Sequence, residues 1–303
     1  MEFGRVPEKE LKKINFDLPE EPAFNKKVLK GKALKNPKIY VGCAKWGRPD
    51  WVGTLYPPRT REKDFLKFYV DHYNSIELNA THHKLYGPIG IRKWAAFAGK
   101  KDFLFCPKMY KGTTHAAKLN AKPFLTNEFF RGIQAFGKHL GPVFIQVNEK
   151  FTPRRKAELI SFLTTLPGDI QYFLEVRHPA WFSDKETTKE LFEFLREHSL
   201  GAVITDTAGR RDCAHMHLPV SKTFIRFVGN SLHPTDYSRI DDWVQRMKYW
   251  LDRGLKELYF FMHMHDEATS PELSVYLLEQ MNEVCGLDLH VPEFFKKAIP
   301  GKN

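Results

Sequence analysis

From Ile39 onward, short apolar or β-branched runs alternate with stretches whose apolar residues repeat at helical spacing. Eight runs read as strands: Ile39–Cys43, Asn74–Asn79, Phe103–Pro107, Val143–Val147, Tyr172–Val176, Ala202–Thr205, Thr223–Phe227 and Leu258–Met262. Between them, Phe65, Phe68, Tyr69 and His72 share one helical face, and Ile240, Trp243, Val244, Met247 and Leu251 form a stripe that Gly254 closes. Thr152-Pro153 reads as an N-cap followed by proline, and Ser183 with Glu186 as a capping box. Ser270-Pro271 opens a last helix that runs to Gly286. Helices are also expected over 88–98 and 126–139, and none over 207–221.

Strands separated by helices imply parallel pairing through right-handed crossovers. The rhythm fills residues 39–286, close to the roughly 250 residues of a (β/α)8 barrel. A doubly wound open sheet is the alternative. It would carry a G-x-G-x-x-G turn after the first strand, and Gly42-Cys43-Ala44-Lys45-Trp46-Gly47 is not one. The expectation is therefore an α/β chain with a single-domain (β/α)8 TIM barrel over 39–290. An extended basic arm (1–38), broken by Pro7, Pro19, Pro22 and Pro37, precedes it, and a short basic tail (291–303) follows.

Composition narrows the class. Apolar residues make up 42% of the chain, with 25 Phe, which excludes a disordered protein. No apolar run approaches the ~18 residues of a membrane span, and residues 1–20 lack the apolar stretch of a signal peptide. The four cysteines are scattered without a C-x-x-C, as expected of reduced thiols in a cytoplasmic protein. The net charge is +11, of which the arm supplies +4 and residues 294–303 supply +3. Such tails are ordinarily solvated, so charge alone does not assign a polyanionic partner.

In a barrel, chemistry gathers where strands end. Those ends here carry Cys43 and Lys45, Glu77 and Asn79, Cys106 and Lys108, Gln146 and Asn148, Glu175 and Arg177, Asp206, Arg226, and His263 and His265. Carboxylates inside strands must be paired, and Lys45, Lys108, Arg177 and Arg226 are the available partners. The set reads either as an ion-pair network that fixes the fold or as a pocket with perturbed proton affinities. His-Met-His occurs at 215–217 and 263–265, and His82-His83 follows the second strand. His263 and His265 are candidate ligands of a divalent metal, completed by Asp206 or Glu175, although the sequence requires no cofactor. Trp46, Trp51, Tyr56, Tyr86, Tyr110 and Trp181 flank the expected opening, and no G-x-S-x-G, Walker or kinase signature is present.

Several separated stretches resemble one family. Gly42-Cys43-Ala44-Lys45-Trp46 with Trp51-Val52-Gly53-Thr54-Leu55-Tyr56-Pro57, then Ser75-Ile76-Glu77-Leu78-Asn79-Ala80-Thr81, Gly141-Pro142-Val143-Phe144-Ile145-Gln146, and Glu175-Val176-Arg177-His178-Pro179-Ala180-Trp181-Phe182 are similar to motifs of the domain of unknown function 72 family. Asp206 and Arg226 fit its later patterns. The resemblance spans about 40–285, implies a TIM barrel and implies no particular reaction. The chain departs from the family pattern at Ala44-Lys45-Trp46, at His82-His83 and at His263-Met264-His265-Asp266.

Read together, these residues suggest a hydrolase acting on a small anionic substrate, phosphorylated or glycosidic. Glu77 and Glu175 would exchange protons, with Asp206 assisting. Lys45, Trp46, Asn79, Lys108, Gln146, Arg177, His178, Trp181, Arg226 and His263 would bind the substrate. Two alternatives stand beside it: a non-catalytic nucleic-acid binder that uses the basic tails and rim aromatics, and a metal-dependent phosphodiesterase that uses the histidines. No membrane partner is expected.

Overall fold

A computed structural model of the 303-residue chain describes residues 3–295. Eight strands occur where the apolar runs lie: β1 (Lys38–Cys43), β2 (Ser75–Leu78), β3 (Leu104–Pro107), β4 (Val143–Gln146), β5 (Tyr172–Glu175), β6 (Gly201–Asp206), β7 (Lys222–Gly229) and β8 (Glu257–Met264). All pairings are parallel, as helical crossovers require. The expected closed eight-stranded barrel is not formed. β1-β8-β7-β6-β5-β4 make one curled sheet, and β2-β3 make a separate two-stranded one.

The two seams have identifiable causes. Between β1 and β2, side chains replace the backbone ladder. Asn74 accepts from Val41 N at 2.8 Å and donates to Ile39 O at 2.7 Å. The Tyr69 hydroxyl accepts from Cys43 N at 2.7 Å and donates to Ser75 O at 2.9 Å. Gly42 permits this approach, since a Cβ there would lie 1.9 Å from Ser75 O. Between β3 and β4, backbone hydrogen bonding is reduced to Gly141 N to Phe105 O and Met109 N to Phe144 O among the described residues, both 2.8 Å. Every buried backbone group near the seams still needs a partner, and these bonds supply some of them.

Seven longer helices cover the sheets: α1 (Phe65–His72), α2 (Pro88–Ala98), α3 (Pro123–Ile133), α4 (Lys156–Leu163), α5 (Lys185–Glu197), α6 (Pro234–Leu251) and α7 (Ser270–Cys285). α7 ends on Gly286 in the left-handed conformation (φ 65°), as its sequence suggested. The cap of α5 sits one residue later than expected, on Asp184, whose carboxylate accepts from Thr187 N at 2.7 Å. No helix among the described residues is long and apolar enough to cross a membrane. All four cysteines are free thiols.

Residues facing the helices make the main core, and alternate residues face inward. Tyr40, Phe144, Phe173, Val203, Phe224, Tyr259 and Phe261 fill the interior as an aromatic floor. Tyr40 and Tyr259 stack at 5.1 Å, and Phe224 meets Phe261 at 4.8 Å.

The arm runs along this body. Leu29 joins the main core, and buried Asn25 donates to Met216 O and accepts from Leu218 N, both at 2.8 Å. Glu21 accepts from Trp250 Nε1 at 2.9 Å. At the other end of the chain Phe295 N bonds Thr54 O, while Lys296, Lys297 and Lys302 of the basic tail lie outside the described residues.

Candidate site at the strand ends

One step above the aromatic floor, the inward positions turn polar. β2 supplies Glu77, β4 Gln146, β5 Glu175, β6 Thr205, β7 Arg226 and β8 His263, while Lys108 follows β3 and Arg177 follows β5. All are buried. Arg226 sits at the centre. It makes a bidentate bond to Glu77 (2.7 and 2.9 Å) and reaches Glu175 at 3.3 Å. Its guanidinium lies 4.8 Å from the centre of the Phe144 ring, on the negative face that favours a cation. Glu175 accepts from Arg177 Nε at 2.7 Å and from the Thr205 hydroxyl at 2.8 Å. Glu77 accepts from Asn79 at 2.9 Å and faces His263 Nε2 at 3.0 Å. An ionised carboxylate only accepts, so the Nε2 proton of His263 belongs to this bond.

Burial would raise both carboxyl groups, because it penalises charge. Their neighbours outweigh it. Arg226 and then His263 hold Glu77 well below the usual carboxylate range, and Arg177 with Arg226 bring Glu175 to about 2. Both glutamates are therefore fixed anions at neutral pH.

Lys108 behaves oppositely. Its Nζ donates to the neutral amide of Gln146 at 2.6 Å and lies 5.1 Å from the Phe144 ring centre. Burial, and then Arg226, bring its pKa down to about 7 despite Glu175 and Glu77. Next to it, burial and Lys108 lower His82 to about 3 and His115 to about 4.

Several expected members stand elsewhere. Asp206 points outward from β6, because Thr205 takes the inward position. Its carboxylate accepts from Trp243 Nε1 at 2.7 Å and pairs with Arg239 at 2.9 Å and with Arg211. It does not converge with Glu77 and Glu175. Cys43 faces the helices, and Lys45 beyond it is exposed. Trp181, expected over the opening, is fully buried and donates to Phe151 O at 2.8 Å. Trp51 and Tyr56 are likewise core residues. His178 is half-buried and accepts from Ala180 N at 3.2 Å, starting the turn after β5. Trp46 is half-buried, edge-on to Trp94 at 5.4 Å.

The histidines do not assemble a metal centre. No three His, Cys, Asp or Glu side chains among the described residues are grouped to hold a metal ion. His263 is engaged with Glu77, and its Nδ1 faces Glu267 at 3.9 Å. His265 is half-buried beyond it, its backbone N bonding Gly229 O. His215 and His217 lie against Phe192 instead, with the His217 ring stacked on it at 4.1 Å.

Sequence reading missed Thr205, Glu267 and Phe3. Strand parity could have identified Thr205. Nothing in the pattern announces Phe3, whose ring covers the Arg177 guanidinium at 3.8 Å and lies 5.3 Å from that of Arg210. Two backbone contacts hold it there: Gly209 N donates to Gly4 O at 2.8 Å, and the Thr207 hydroxyl donates to Phe3 O at 3.2 Å.

Several known proteins are similar to this chain. The family described as "Protein of unknown function DUF72" matches residues 40–293. UPF0759 protein YecE of Escherichia coli (strain K12) is 28% identical over 263 residues, covering 81% of this chain and 93% of that protein. UPF0759 protein YunF of Bacillus subtilis (strain 168) is 30% identical over 156 residues, covering 48% of this chain and 52% of that protein. A crystal structure of a DUF72 family protein from Enterococcus faecalis V583 superposes with a TM-score of 0.65 at 16% identity, covering 83% of this chain and 96% of that one. The match over residues 40–293 takes in nearly all of both sheets and every polar residue of the inner layer, and this chain belongs to the DUF72 family.

Proposed function

We propose that this protein is an enzyme acting on a small phosphorylated substrate, and that the polar layer at the strand ends binds the phosphate. One observation carries the reading. Lys108 is a buried amine that feels the charges of Arg226 and Arg177 against those of Glu175 and Glu77, and its hydrogen bond goes to neutral Gln146, not to a carboxylate. Such an amine has a hydrogen-bond donor to spare for an entering anion. The Nη atoms of Arg177 offer a second contact, since their carboxylate neighbour is exposed Glu149 at 3.8 Å. Arginine meets phosphate by a bidentate fork.

The glutamates then have a different role from the one their sequence positions suggest. A group that transfers protons near neutrality needs a pKa close to the working pH. Glu77 and Glu175 lie far below it, so they orient Arg226 and Arg177 as fixed anions. Glycoside cleavage needs one carboxyl group raised and protonated, which neither supplies, so the phosphorylated class is favoured. Lys108 is the group in the proton-transfer range. When an anion binds, its amine takes up a proton. As water attacks phosphorus and the ester P–O bond breaks, that proton passes to the leaving oxygen, and one proton of the attacking water passes to a non-bridging phosphate oxygen.

Calorimetry with inorganic phosphate at pH 8, in two buffers of different ionisation enthalpy, tests the binding step. The expected result is uptake of a substantial fraction of one proton per phosphate, abolished in Lys108→Met. Screening phosphomonoesters then tests the reaction. Phosphate binding without proton uptake, or the same uptake in Lys108→Met, would overturn the assignment of Lys108.

A further inference from the structure

The basic excess of the folded part is concentrated in one sector. Residues 79–127 contain nine Lys and Arg against a single acid, Asp102; Lys108 among them belongs to the buried layer and Lys101 pairs with Asp71, which leaves seven. This span is the β2 and β3 side of the molecule, with the loops after both strands and α2 between them. Lys84, Lys111 and Lys118 of those loops are exposed. His83 is exposed beside them, and burial followed by Lys111 and Lys108 lowers its proton affinity. A cluster of like charge on a fold raises the local concentration of polyanions, whereas the same charges spread over tails do not.

Aromatic rings lie in the loop after β2 and in the two helices that follow: Tyr86 in the loop, Trp94 in α2 and Phe124 in α3. Tyr86 and Trp94 are half-buried with centroids 4.7 Å apart, and Lys84 Nζ lies 5.6 Å from the Tyr86 ring centre. Phe124, at the start of α3, is 60% exposed. A cation next to a partly open ring matches the repeat of a nucleic-acid strand, in which each phosphate accompanies a base with a stackable face.

We infer that the sector formed by the loops after β2 and β3 is a docking surface for single-stranded nucleic acid, read through phosphate charge and base stacking without sequence preference. The surface is separate from the buried layer around Arg226, and the inference does not depend on the reaction proposed there. It also differs from binding through the basic tails, since Lys84, Lys111 and Lys118 belong to the folded body.

Fluorescence anisotropy of an end-labelled oligothymidylate, with full-length protein between 50 and 200 mM salt, tests it. Each phosphate contact on a single strand contributes about −0.7 to the slope of log K against log salt, so three contacts give about −2. The variant carrying Lys84→Glu, Lys111→Glu and Lys118→Glu should bind at least tenfold more weakly with a shallower slope. Because all three side chains are exposed, it should melt like the parent, and single Lys84→Glu serves if it does not. Tyr86→Leu should weaken binding about tenfold with the slope unchanged. Inorganic phosphate binding by both variants should match the parent, which separates this surface from the inner site. Absence of oligonucleotide binding at 50 mM salt would overturn the inference. So would equal affinity in the triple variant, or a preference for phosphatidylserine vesicles or polyglutamate over the oligonucleotide.

Discussion

Glu175 and Lys108 face the same buried layer with opposite consequences for stability. A Glu175 pKa of about 2 lies below its unfolded value. Its contribution is therefore complete above about pH 4.5 and is lost as pH falls toward 2. The displacement corresponds to about 3 kcal/mol. Glu175→Gln should cost about that much at pH 7 and flatten the acid limb of the stability curve, measured by urea unfolding from pH 2 to 7. Lys108 is also displaced downward, but it is a base. Between about pH 7 and 10.5 the unfolded chain binds the extra proton, so stability rises with pH across that window. Lys108→Met should therefore stabilise the protein at pH 7, by about 2 kcal/mol after allowance for the lost Gln146 bond. A loss of stability would show that the amine is better accommodated than its surroundings imply. The sequence identified both residues through strand alternation. It could not tell which carboxylates would meet a guanidinium, because that depends on strands far apart in the chain. Asp206 shows the limit: it ends β6, but parity gives the inward place to Thr205.

At the scale of elements, strand positions were legible because period-2 alternation and β-branched runs report a local preference. Closure was not, because it depends on what occupies the seams. Asn74 and Tyr69 carry no sign in the sequence that their side chains will stand in for a ladder. Tyr69→Phe removes a hydroxyl that is both donor and acceptor while keeping the ring in the core. It should cost about 2 kcal/mol, since Cys43 N and Ser75 O lose a buried partner. Gly42→Ala should do far more harm, because the new Cβ would collide with the backbone of β2. Soluble, normally melting Gly42→Ala protein would mean that the β1–β2 seam is wider than described.

For the molecule as a whole, the arm is the part least legible from its sequence. Its prolines and mixed charges suggest an extended, separable segment, whereas its contacts run from Phe3 at the strand ends to Leu29 in the core. A short periodic signal was missing because the anchors are single residues, each fitting a different surface. Asn25→Ala removes two buried bonds to the chain around Met216 and should lower stability by about 2 kcal/mol. Phe3→Ala should leave stability nearly unchanged and tighten phosphate binding, because the ring covers one face of the Arg177 guanidinium. An anion that loads the buried layer must do so, on the function proposed above, through Lys108. The most direct measurement is an NMR titration of the Lys108 Nζ and Cε resonances, with and without inorganic phosphate. A midpoint near 7 is expected in the free protein, with a clear upward shift when phosphate is bound. A midpoint near the ordinary lysine value of about 10.4, or one that phosphate leaves unmoved, would contradict it.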